Sequence, residues 1–125
     1  MAAALSIAAC AGITSAPHDV SVGQSVELSV GESANVTPGS VRVQFVNVAD
    51  SRCPSDVVCV TAGDAMIVVA FNGAGADRTD TLYLVRQPKS VTYGGYRFEA
   101  TDVQPYPKSS EQQPSKTLIL KVSGQ

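Results

Sequence analysis

A chain of 125 residues is enough for one domain with a single core, and it can bury roughly two thirds of its unfolded surface. Apolar residues make up 44% and charged residues 16%, with a formal net charge of -2 and a pI near 5.2, so no basic field exists to hold a polyanion and nucleic-acid binding is not expected. Valine occurs 18 times against 6 leucines; stiff β-branched side chains suit a pleated, half-buried surface, so the composition predicts an all-β fold.

The first stretch, MAAALSIAAC, is apolar and rich in small residues. Its end, Ile7-Ala8-Ala9-Cys10, resembles the lipobox of bacterial lipoproteins. That resemblance implies thiol acylation of Cys10 and cleavage before it, making Cys10 the lipidation candidate and residues 1–9 a signal remnant. Secretory leaders carry a basic n-region, and no Lys or Arg precedes Cys10, so the leader is expected to be clipped. An apolar run of at most nine residues is also too short to cross a bilayer, which needs about 20. Residues 10–23 are poor in large apolar side chains and contain the only histidine, His18. They are expected to form a flexible tether, with the β-domain over 24–125.

From Ser25 onward the apolar residues alternate. Val26, Leu28 and Val30 share one face, the pattern of a strand with one buried side. In VRVQFVNV, residues 41–48, the phase slips from Val41, Val43 and Phe45 to Val46 and Val48, which predicts a bulge near Phe45 and Val46. AMIVVAF, residues 65–71, is continuously apolar and is expected to be a central strand covered on both faces. Leu82 and Leu84 alternate in TLYLVR; Tyr96, Phe98 and Ala100 alternate in YRFEATDV before the phase is lost ahead of Val103. KTLILKV turns Leu118, Leu120 and Val122 to one side. With the short VVCV of residues 57–60, about seven strands are expected. GAGADRTD and Gly94-Gly95 supply hairpin turns.

The stretch DSRCPSDVVCV places Cys53 and Cys59 six positions apart. In an exported chain with Cys10 acylated, these two are expected to oxidise, and closing so small a ring constrains the unfolded chain by roughly 2–2.5 kcal/mol. Zinc needs about four ligands, and beyond these thiols only His18 is available. The spacing is not the two-residue gap of a redox pair at a helix start. Asp50, Asp56 and Asp64 lie close in sequence but form no alternating run of oxygen ligands, so neither metal nor other cofactor is expected. Arg52 is expected to pair with one of these aspartates as a structural lock, or otherwise to contact an anion.

DSRCP, then CVTAGDA, the strand MIVVAF, and later GGYRFEATDVQPYP before a terminal valine-bearing strand together resemble a group of small bacterial envelope lipoproteins of unknown function. The resemblance covers about residues 24–123 and implies an exported β-sandwich with a Cys53–Cys59 bridge; it supplies no activity. Members often carry an aromatic before the AG pair, where this chain has Thr61, so any role of that aromatic does not carry over.

Catalytic arrangements find little support. A hydrolytic triad lacks a well-placed base, because His18 lies outside every predicted strand. Glu27, Glu32, Glu99 and Asp102 are spaced as outward strand and turn positions rather than as an acid pair across a cleft. Recognition remains. QPYPKSSEQQPS, residues 104–115, is longer than the usual hairpin loop, and Tyr106 between two prolines is either an exposed anchor for a partner or packing over the end of the sandwich. The expected molecule is a monomeric, immunoglobulin-like antiparallel β-sandwich, with a small β-barrel as the alternative fold. It is tethered to a bacterial envelope membrane by Cys10 and faces the periplasm; Ala11 carries no aspartate-type signal for inner-membrane retention, so resemblance to outer-membrane lipoproteins implies the outer membrane. Its expected role is non-catalytic binding or structure, with Asp50, Arg52 and Tyr106 as candidate contacts. The rival role is an inhibitor or adaptor using loops 50–60 and 104–115 against an envelope protein; a hydrolase is third.

Overall fold

The computed structural model describes residues 17–108 and 115–124. Among these, nine strands build two stacked sheets, ordered β1-β3-β4-β5-β6 and β2-β9-β8-β7. The first sheet contains β1 (His18–Ser21), β3 (Ser33–Thr37), β4 (Arg42–Asp50), β5 (Ala65–Asn72) and β6 (Arg78–Tyr83). The second contains β2 (Ser25–Ser29), β9 (Thr117–Gly124), β8 (Tyr96–Gln104) and β7 (Ser90–Tyr93). The sheets do not close on each other, so the fold is a sandwich rather than the alternative barrel. All pairings are antiparallel except that of β1 with β3.

Period-two alternation explains the layering. Val26 and Leu28 of β2, Val43 and Phe45 of β4, and Leu118, Leu120 and Val122 of β9 all point inward and are buried. Phe71 packs against Phe98 and Tyr93 with ring centroids 4.8 and 5.2 Å away, filling the half of the core near the β7–β8 turn. The expected bulge in β4 is present: the register shifts between Phe45 and Asn47, Val46 is turned out, and Val48 rejoins the core. A second shift, between Ala100 and Asp102 of β8, restores Val103 to the inner face. Gly94 and Gly95 form the tight turn after the Tyr93–Tyr96 pair, both with positive φ (61° and 87°), where only glycine sits without strain.

Several expectations are corrected. Residues 18–21, assigned to the tether of residues 10–23, form β1, and Val20 is buried in the core. A single inward apolar residue in a four-residue edge strand leaves too little alternation to recognise. β3 and β7, of five and four residues, were not expected either, which brings the described strands to nine rather than about seven. Val30 lies beyond β2 and is exposed. Residues 57–60 form no strand, because the ring through Cys53 and Cys59 holds them off both sheets. β5 is an inner strand but not the middle one, and only one of its faces is buried; Met66 on the other is exposed. Cys10 and residues 109–114 of the long loop lie outside the described residues.

Candidate functional site

The end of the sandwich where β4 and β8 stop and β5 and β9 begin carries nearly everything the sequence singled out. After the bulge, inward parity in β4 passes from Val48 to Asp50. In β9 the parity of Leu118 and Leu120 extends back to Lys116. Two opposite charges therefore enter the end of the core from different sheets. Lys116 Nζ lies 3.2 Å from Asp50 Oδ2 and donates to the Pro105 carbonyl at 2.6 Å.

Arg52 completes the cluster. Its Nε donates to Asp50 Oδ1 at 2.8 Å and its Nη2 to Asp50 Oδ2 at 2.7 Å, a bidentate pair. Nη2 also donates to the Val103 carbonyl at 2.8 Å, tying the loop after β4 to β8 of the opposite sheet. Asp102 is the outer partner, at 3.7 Å from Nη1. Above the guanidinium lies the Tyr106 ring, with its centroid 4.5 Å from Cζ. Arg52 is only 8% exposed, so the anion-contact alternative is set aside in favour of the lock, with Asp50 as the partner. Burial raises the Asp50 pKa, but the hydrogen bonds from Arg52 and Lys116 outweigh it and hold the carboxyl below its ordinary value. The hydrogen bonds to Asp50 likewise push Arg52 above its ordinary value.

Asp64, absent from the expected site, is a second buried anchor. Its Oδ1 accepts the backbone N–H groups of Ala65, Leu84 and Val85, and Oδ2 accepts that of Arg86, at 2.8–3.1 Å. Burial again acts to raise its pKa, and these four donors lower it further than burial raises it. Ser51 N–H and Ser51 Oγ both donate to the Asp64 carbonyl at 2.8 Å, so the loop of residues 51–64 is pinched shut at its base. Gly63 is required in that pinch: a Cβ there would lie 1.7 Å from the Ser51 carbonyl oxygen.

Above the pinch, Cys53 and Cys59 are bonded, with Cα atoms 5.9 Å apart. Ser55 N–H donates to the Pro107 carbonyl at 3.1 Å, joining the ring to the start of the long loop. Tyr106 is half exposed: one face covers Arg52, as packing over the end of the sandwich requires, and the remainder meets solvent. Val58 and Val60 are entirely exposed, at 100% and 102%. His18, at the start of β1, is 3.3 Å from Glu32 and stands apart from this cluster. Among the described residues no group of three or more His, Cys, Asp or Glu side chains is arranged to hold a metal ion.

Sequence reasoning reached Asp50, Arg52, Tyr106 and the cysteine pair but missed Lys116 and Asp64. Parity with Leu118 was the available signal for Lys116. For Asp64 there was none, since three of its four backbone donors lie 20–22 positions downstream. No protein-family model, curated protein or solved structure matches the chain.

Proposed function

We propose that the chain is an exported envelope protein, lipid-anchored through Cys10, whose sandwich is a non-catalytic binding or structural module. The disulfide carries this reading, because Cys53–Cys59 bridges persist in oxidising compartments and a bacterial one lies beyond the inner membrane. The lipobox-like Ile7-Ala8-Ala9-Cys10 and the resemblance around DSRCP support it. The ionisable groups at the sandwich end are committed to structure. Asp50 is held by Arg52 and Lys116, and Asp64 by four backbone donors, which favours a rigid presenting surface over proton-transfer chemistry.

Mass spectrometry of the protein from the host envelope tests the anchor. Diacyl or triacyl mass on Cys10 is expected, and Cys10→Ser is expected to move the protein from the membrane to the soluble fraction. An unmodified Cys10 in membrane-associated protein would overturn the reading. A protein-binding adaptor is the second reading, favoured by the solvent-facing part of Tyr106 and by the exposed valines of the ring.

A further inference from the structure

At the end of the sandwich opposite the disulfide, where β5 turns into β6, lies a cavity of about 380 Å³ that opens to solvent. Ala74, Ala76, Asp77 and Arg78 line it from the β5–β6 hairpin, and Thr92 and Tyr93 line it from β7. Its wall is fixed from outside. Tyr93 Oη accepts the Ala74 N–H at 3.2 Å and donates to the Ala76 carbonyl at 3.1 Å, while Ser40 Oγ donates to the Gly73 carbonyl at 2.9 Å. Among the described residues no main-chain hydrogen bond closes residues 73–77 on themselves, so N–H groups beyond that of Ala74 are left for water or a ligand oxygen.

Two opposite charges line this cavity without meeting. Arg78 is anchored: Nε donates to Asp80 Oδ2 at 2.7 Å, Nη2 donates to the Thr92 carbonyl, and Cζ lies 5.4 Å from the Tyr93 ring centroid. Those contacts leave Nη1 unused, and 44% of the side chain is exposed. Asp77 is the next residue back along the chain, yet among the described residues its carboxylate has no ionic or hydrogen-bond partner. Charge then decides what fits. A bare anion drawn to Arg78 meets Asp77 and Asp80, two carboxylates against one guanidinium. A bare cation drawn to Asp77 meets the guanidinium and leaves the N–H donors unmatched. A molecule carrying both charges a few bonds apart satisfies both walls. The volume is near the lower end of ligand pockets, about 300 Å³, so that molecule is small.

We infer that this cavity binds small zwitterions of the α-amino-acid class, with the carboxylate on Arg78 and the loop N–H groups and the ammonium on Asp77. The site needs neither the lipid anchor nor the disulfide end, so it stands or falls apart from the reading above. Glycine, the smallest such molecule, is the probe. Titrated at neutral pH into the isotope-labelled full chain and followed by amide NMR, it is expected to give saturable shifts over about 0.1–10 mM, the weak range proper to an open site. The amides of Ala76, Asp77 and Gly94 should move, and those of Val58 and Val60 should stay in place. Acetate and methylammonium, each with one of the two charges, are expected to bind at least about tenfold more weakly. Asp77→Asn keeps the shape and removes one charge. Because that carboxylate has no partner, D77N is expected to melt at the parent's temperature while binding glycine about tenfold more weakly. It is the deciding variant, since Arg78 also ties β6 to β7 and covers the core. No shift with glycine, equal affinity for acetate, or D77N binding glycine as the parent does, overturns the inference.

Discussion

Asp50 is the residue on which the end of the sandwich turns. It supplies the negative charge that two cations, Arg52 and Lys116, share in a place where water has little access. Removing one partner of a buried ion cluster strands the others, at a cost of about 3–5 kcal/mol, whereas an exposed pair contributes about 0–1 kcal/mol. Asp50→Asn is therefore expected to lower unfolding free energy by about 3–5 kcal/mol in a urea titration, and Asp102→Asn, at the solvent edge of the same guanidinium, by less than about 1 kcal/mol. Equal effects of the two would mean that the cluster carries no special stability. At this scale the sequence was informative wherever periodicity could be followed. Parity after the β4 bulge turns Asp50 inward, and the same rule applied backward from Leu118 turns Lys116 inward. The four donors that converge on Asp64 come from residues 65 and 84–86, and that convergence exists only once β5 and β6 have paired.

Between β4 and β5 the connection is held three times over: by the Ser51–Asp64 pinch, by the Arg52–Asp50 pair and by the disulfide. Only the first two touch the sheets. A seven-residue ring removes about 2 kcal/mol of chain entropy from the unfolded state. Cys53→Ala with Cys59→Ala is accordingly expected to cost about 2 kcal/mol while preserving the β-sheet circular dichroism, with the new looseness confined to residues 53–60 in hydrogen exchange. Loss of the fold would show instead that the ring organises the sandwich. β4, β8 and β9 were legible because three apolar positions repeat in phase in each (Val41, Val43 and Phe45; Tyr96, Phe98 and Ala100; Leu118, Leu120 and Val122), and β5 because its whole run is apolar. β1, β3 and β7 offer one or two inward apolar residues apiece, which is within the noise of any valine-rich chain. VVCV misled for the converse reason: its composition suits a strand, but a strand also needs a neighbouring strand to pair with, and the closed ring holds these residues off both sheets.

Over the whole molecule, the two depressed carboxyls predict how stability follows pH. Asp50 and Asp64 both have folded pKa values below the ordinary 3.8, so the unfolded chain takes up their protons first as pH falls. Their stabilisation is complete above the unfolded value and is lost as pH drops through the folded one. Stability contributed by these groups should thus be level from neutrality down to about pH 5 and fall below about pH 4. Both carboxyls sit at the disulfide end, so acid is expected to loosen that end ahead of the half of the core around Phe71 and Phe98. Hydrogen exchange at pH 3 should show the amides of Ala65, Leu84, Val85 and Arg86 losing protection ahead of those in β7 and β8. Asp64→Asn, which keeps an acceptor oxygen but no longer titrates, should flatten the acid limb of the stability curve while being less stable than the parent at neutral pH. If the variant and the parent lose stability with the same slope between pH 4 and 2, the protons are binding elsewhere, and Asp64 anchors the loop through geometry alone.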